Sequence, residues 1–161
     1  MSSLIQRILV PVDFSPHSRA AARLAQTLAR ESDASLCFLH VWTASDDAEL
    51  VIATHGGGQQ TLRSYRELRA KRDLDTFIDS MNLAAGCSLE TRTVEGEARA
   101  SILEQAIVGE FDLIVMGTSG RSGLERLLLG SVAEDVVRRS PCPVLTIRDE
   151  QQVLKGKAQP A

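Results

Sequence analysis

"FDLIVMGTSGRSGLERLLLGSVAEDVV", residues 111–137, decides how the rest of the chain is read. Its opening, FDLIVMG, is apolar almost throughout, as a strand covered on both faces must be. A long segment punctuated by glycines and free of lysine follows. From Ser131 to Ser140 a helical pattern takes over, with Val132, Ala133, Val136 and Val137 on one face. Strand, loop and helix in that order form one unit of a parallel α/β sheet.

The same alternation runs through the preceding residues. Ile8 to Val12 is an apolar strand ending at Asp13. Ser15 then suits a helix cap and Pro16 the first helical position. The expected inner stripe of that helix is Ala21, Leu24, Ala25 and Leu28. Ala34 to Trp42 reads as a second strand, and the polar, glycine-rich Thr43 to Gln60 as a long loop. A helix is predicted from Thr61 to Ala85, with Leu74, Ile78, Met81 and Ala85 at helical spacing and Gly86 as its stop. SLETRTVEG (88–96) is a more polar strand. Glu97 to Val108 reads as a helix with Ile102, Leu103 and Ala106 inward, and CPVLTIR (142–148) as the last strand. Residues 1–149 thus form one domain, and the polar residues 150–161 are expected to be a disordered tail.

Five strands alternating with four helices predict an α/β fold: a single open, five-stranded parallel sheet with helices on both faces. The first, second and fourth strands are apolar enough for the interior, and the third and fifth suit the edges. Right-handed crossovers between neighbours then give the order 3-2-1-4-5. The winding reverses between strands 1 and 4. A crevice opens there at the carboxyl ends of the strands, where open α/β sheets bind ligands. Asp13 to Ser15 and the glycine segment border it.

Composition narrows the function. The chain has 161 residues, a formal charge of -3 and three cysteines without a CxxC pair. A nucleic-acid binder would show a basic excess, and a disulfide framework an even cysteine set. No apolar run approaches a membrane span and the N-terminus lacks a secretory pattern, so the expected compartment is the cytoplasm. Cys37 and Cys142 read as small buried hydrophobes, and His40 as a satisfied core histidine.

Glycines let a backbone approach a ligand closely, and amides at a helix start attract anions. The Gly130-Ser131 step therefore suits a phosphate chain, and no catalytic or metal-ligating residue set is evident. A GxxxxGK[ST] loop and a GxGxxG after the first strand are both absent. The lysines are Lys71, Lys155 and Lys157, none of them in the loop. Without a lysine or an evident base, binding is favoured over phosphoryl transfer. Two local alternatives stand beside this reading. SVAE (131–134) is also a capping box, and Asp13 also suits a helix start.

Gly117-x2-Gly120-x9-Gly130-Ser131, ILVPVDFS (8–15) and SVAEDVVRRSPCPVLTIR (131–148) together resemble the universal stress protein family, in its ATP-binding subgroup with the pattern G-x2-G-x9-G-[S/T]. The resemblance covers Arg7 to Arg148 and implies a sheet of the adenine nucleotide alpha hydrolase type. It implies that Pro11, Val12 and Asp13 border the nucleoside, with Asp13 reaching the ribose or a metal. Val41 would contact adenine through its backbone, and Met116 and Gly117 would lie along the nucleoside. Gly120, Gly130, Ser131 and Val132 would hold the phosphates of ATP, accompanied by Mg2+. The family further implies a stress-response sensor or switch, a homodimer and an as yet unidentified protein partner. Strand 143–148 would otherwise leave an apolar edge open; antiparallel pairing with its own copy would close it, and so would the tail folding back over it.

Overall fold

The computed structural model describes residues 4–54, 56–83, 86–118 and 129–148. Strands β1 (Arg7–Pro11), β2 (Ser35–Trp42), β5 (Leu89–Glu95), β6 (Leu113–Gly117) and β7 (Val144–Ile147) make one sheet in the order β5-β2-β1-β6-β7. All its pairings are parallel, so the predicted order 3-2-1-4-5 is the observed one. The helices are α1 (Pro16–Ser32), α2 (Leu62–Ser80), α3 (Ala98–Val108) and α4 (Ser131–Arg139).

Strand periodicity sorts the core into two layers. Ile8, Val10, Leu36, Phe38, Leu113 and Val115 pack with α1 and α2. Leu9, Cys37, Leu39, Ile114 and Met116 pack with α3 and α4. Helix α1 meets the sheet through Ala21, Ala22, Ala25 and Ala29, all fully buried. The expected Leu24 and Leu28 are only half-buried, flanking that stripe. Small side chains let the helix axis lie close over the central strands.

Several boundaries differ from the sequence reading, each for a local reason. The predicted loop 43–60 instead carries most of a two-stranded antiparallel hairpin, β3 (Val51–Ala53) with β4 (Gln59–Thr61), which runs one residue past it. Three-residue strands of mixed polarity give no periodic signal. Helix α2 stops at Ser80, short of the predicted Ala85. The Met81 N–H turns back to Ile78 and Asp79 carbonyls, and Asn82 takes a left-handed φ of 46°, which asparagine tolerates. Glu97 lies outside α3 as its cap and accepts from the Ala100 N–H at 3.0 Å. The predicted helix position Ala85, His55 of the loop and the tail 150–161 lie outside the described residues.

His40 is satisfied: its Nδ1 is 2.9 Å from the Val12 carbonyl oxygen and its ring lies 4.3 Å from that of Phe14. Cys142 is half-buried, less than expected, with Ser140 Oγ 3.7 Å from its sulfur. Cys37 is 2% exposed, and burial pushes its thiol from 9.0 up to about 11. Below pH 9 the thiol is protonated in both folded and unfolded chains. Between about pH 9 and about pH 11 only the unfolded chain ionises there, so stability falls as pH rises. The expected loss over that window is about 2–3 kcal/mol. Urea unfolding of the wild type and Cys37→Ala checks it: the difference between the two should shrink across the window, and a constant difference contradicts the assignment.

Candidate functional site

Between β1 and β6 the chain winds in opposite directions, and a cleft opens at the carboxyl ends of these strands. It encloses about 220 Å³. Its floor comes from the α3/α4 layer: Pro11 of β1, Leu39 and Val41 of β2, and Met116 of β6 with Thr118 just beyond it. Ala98 and Ile102 of α3 form one wall. Gly130, Ser131, Val132 and Ala133 at the start of α4 form another, and Asp13 and Ser18 stand at the α1 side.

Each residue is placed by a local device. Val12 leaves the ladder but its N–H still donates to the Leu39 carbonyl at 2.8 Å, which fixes the end of β1. Phe14 then adopts a left-handed φ of 66°, rare for an aromatic residue. Its ring packs between His40 and Phe77, at 4.3 and 5.5 Å between centroids, and this packing holds the turn. The turn leaves the Asp13 carboxylate at the cleft, where its Oδ1 accepts from the Ser15 N–H at 3.0 Å. The helix-start role for Asp13 is therefore real, and it coexists with a position on the cleft wall.

The two helix starts that face the cleft differ. Helix α1 is closed by its own residues. Ser15 Oγ accepts from the Ser18 N–H at 3.2 Å, and Pro16 has no N–H to offer. Helix α4 has Gly130 at its cap position and no side-chain cap bond. Ser131 is the first helical residue, so the capping-box reading of SVAE does not hold. The first intrahelical bond runs from the Glu134 N–H to the Gly130 carbonyl, at 2.9 Å. The amides of Ser131, Val132 and Ala133 precede it, as the leading amides of a helix do, and these three residues line the cleft.

The ends of the glycine segment are tied together. The Gly130 N–H donates to the Thr118 carbonyl at 2.6 Å, and the Thr118 N–H donates to Ile147 of β7 at 2.9 Å. Gly117 is glycine for a packing reason. A Cβ there would lie 2.7 Å from His17 Cβ and 2.9 Å from the His17 carbonyl carbon.

Of the ten residues named from the sequence, the structure brings together Pro11, Val12, Asp13, Val41, Met116, Gly117, Gly130, Ser131 and Val132. Gly120, with the rest of 119–128, lies outside the described residues. The sequence reading missed Ser18, Leu39, Ala98, Ile102, Thr118 and Ala133. Strand alternation from Met116 could have found Thr118, and Val41 likewise Leu39. Ile102 was read only as core. Asp13 is the one charged side chain among the described lining residues. Among the described residues no cluster of three metal-ligating side chains occurs, and no helix is long and apolar enough to cross a membrane.

Comparison with known proteins agrees with this architecture. The family model described as "Universal stress protein family" matches residues 4–148. A universal stress protein of Methanocaldococcus jannaschii is 34% identical over 146 residues, covering 91% of this chain and 84% of that protein. Two solved structures share the fold. A universal stress protein in complex with cAMP is 24% identical with a TM-score of 0.60, covering 89% of this chain and 96% of its own. An Arabidopsis thaliana universal stress protein family protein with AMP bound is 20% identical with a TM-score of 0.58, covering 89% and 91%. Sheet order, matched span and the similarity to the archaeal protein agree: the chain belongs to the universal stress protein family.

Proposed function

We propose that the cleft binds an adenine nucleotide, with ATP and Mg2+ as the physiological pair, and that occupancy acts as a switch in a cytoplasmic stress response. The observation that carries this is the division of the cleft into two chemistries. One end is apolar: Leu39, Val41, Ala98, Ile102 and Met116 suit a planar base. The other offers the Ser131 hydroxyl and the α4 amides, at the positive end of that helix, to an anion. Its 220 Å³ is below the roughly 300–1,000 Å³ of typical ligand pockets, which suits a base and sugar inside with the phosphates at the mouth. The cAMP and AMP complexes of the two related folds support the same ligand class.

The residues fit the metal as well. Mg2+ keeps several waters and is bound by one or two carboxylates plus substrate phosphates, and Asp13 is the carboxylate present. In this reading Asp13 holds the ribose or the metal, Val41 meets the base, and Gly117 lies along the sugar. Gly120, Gly130, Ser131 and Val132 hold phosphate oxygens. When bound, Mg2+ neutralises phosphate charge that would otherwise face Asp13. Asp13 is the one carboxylate among the described lining residues, and binding rather than turnover is the proposed activity.

Isothermal titration with Mg-ATP, AMP and cAMP tests the reading. Saturable heat with Mg-ATP, weakened when Mg2+ is removed, is expected. No heat at millimolar nucleotide with folded protein would reject it. Fast phosphate release lost in Asp13→Ala would instead favour an enzyme. We also propose the homodimer, through an antiparallel pairing of two β7 strands. Val144, Leu145 and Ile147 are half-buried there, and among the described residues β7 pairs with β6 alone.

A further inference from the structure

His40 reaches the residues on both sides of Asp13 from the far face of the sheet. Strand alternation puts it with Leu36 and Phe38 on the α1/α2 face of β2, opposite the Leu39 and Val41 that line the cleft. From there its Nδ1 lies 2.9 Å from the Val12 carbonyl oxygen. A carbonyl oxygen can only accept, so Nδ1 carries the proton. The imidazole ring also lies 4.3 Å from that of Phe14, tilted by 36°. Between the two residues so held stands Asp13, on the cleft wall.

The two contacts restrain different parts of the turn. The Val12 N–H donates to the Leu39 carbonyl at 2.8 Å and so carries the β1–β2 ladder one step past Pro11. In a longer ladder with the Pro11–Leu39 register, the Val12 carbonyl would next accept from the Val41 N–H. Instead it accepts from the His40 side chain, and the chain turns away at Asp13. Phe14 then takes its left-handed φ of 66°, which a bulky residue keeps only where its surroundings hold it. His40 and Phe77 flank its ring. One imidazole thus fixes the carbonyl before Asp13 and the ring after it. The Ser15 N–H, 3.0 Å from Asp13 Oδ1, completes the turn.

We propose that His40 is the positioning residue of the cleft: it holds the turn that presents the Asp13 carboxylate to the nucleotide, without lining the cleft itself. Its effect on affinity rests on the adenine-nucleotide reading of the cleft, whereas its hold on Asp13 does not. Two substitutions separate donor from ring. Asparagine places a side-chain N–H where Nδ1 stands and removes the ring. Phenylalanine keeps a ring and removes the donor.

Calorimetric titration with Mg-ATP and amide exchange by NMR, both on the full chain, test the proposal together, with thermal melts as the control for folding. His40→Phe should weaken Mg-ATP binding at least about fivefold, the worth of one net hydrogen bond, and His40→Asn should recover most of that loss. On an Asp13→Ala background His40→Phe should cost nothing further. Without nucleotide, the Ser15 amide should lose protection in His40→Phe and keep it in His40→Asn, while Ile8 to Val10 stay protected. In the wild type at about pH 8, long-range proton–nitrogen spectra of the imidazole should show the Nδ1–H tautomer, a readout that needs no variant. An Nε2–H tautomer, an unmoved Ser15 amide in His40→Phe, or an equal loss of affinity with and without Asp13 overturns the proposal. So does loss of protection throughout β1, which would make His40 a support of the strand alone. A wild type that binds no nucleotide, but whose Ser15 amide follows the two variants, overturns the nucleotide reading and leaves the His40 assignment standing.

Discussion

Ser131→Pro should leave the fold intact and weaken Mg-ATP binding by at least about tenfold, the free-energy equivalent of about 1.4 kcal/mol. Proline is the residue best tolerated at the first helical position, because that N–H has no partner within the helix and the ring's φ suits a helix start. Ser131 is that position, is exposed, and follows a cap glycine that makes no side-chain bond. The substitution removes the hydroxyl and one amide donor together and adds no charge. Ser131→Ala removes the hydroxyl alone, so the ratio of the two losses separates hydroxyl from backbone. The expected order of affinity is wild type, then Ser131→Ala, then Ser131→Pro. Calorimetric titration measures it, with thermal melts as the control for folding. Equal affinity for all three would show that the start of α4 holds no phosphate.

Gly117→Val should destabilise the protein by about 2–3 kcal/mol or more and lower its melting temperature by roughly 5–10 °C. The added Cβ meets His17 Cβ at 2.7 Å, the His17 carbonyl carbon at 2.9 Å and the Ser18 nitrogen at 3.1 Å. Two of these are backbone atoms in the first turn of α1, so no rotamer change relieves the overlap. Either β6 or the start of α1 must move. His17 is 9% and Ser18 3% exposed, so the surroundings leave little room. Because Asp13 and Ser15 set that turn, nucleotide affinity should fall along with stability. Gly117→Ala should show the same effects in smaller measure. A Gly117→Ala protein that melts like the wild type would contradict the close approach.

These substitutions show what a glycine motif can and cannot reveal in sequence. The resemblance marked Gly117 and Gly130 both as ligand contacts. The structure gives Gly117 a packing duty as well, and gives Gly130 a cap position and a 2.6 Å bond to Thr118. Neither duty has a signature apart from the glycine itself. The sheet was legible because its strands are continuous apolar runs separated by helical periodicity, and because winding direction fixes where the crevice falls. The hairpin was not. Val51–Ala53 and Gln59–Thr61 are too short for alternation to register, and they lie in a polar stretch that reads as loop. The cleft floor was half legible: Val41 and Met116 came from the resemblance, while Leu39 and Thr118 needed strand register, and Ala98 and Ile102 needed the placement of α3.

The central claim is that an adenine nucleotide occupies the cleft between Asp13 and the start of α4. Two-dimensional amide NMR of the folded chain titrated with Mg-ATP tests it most directly. The account predicts saturable shifts at the amides of Asp13, Val41, Gly117, Gly130, Ser131 and Val132, with those of α2 unmoved. No shifts at millimolar nucleotide, or shifts centred on another surface, would contradict it.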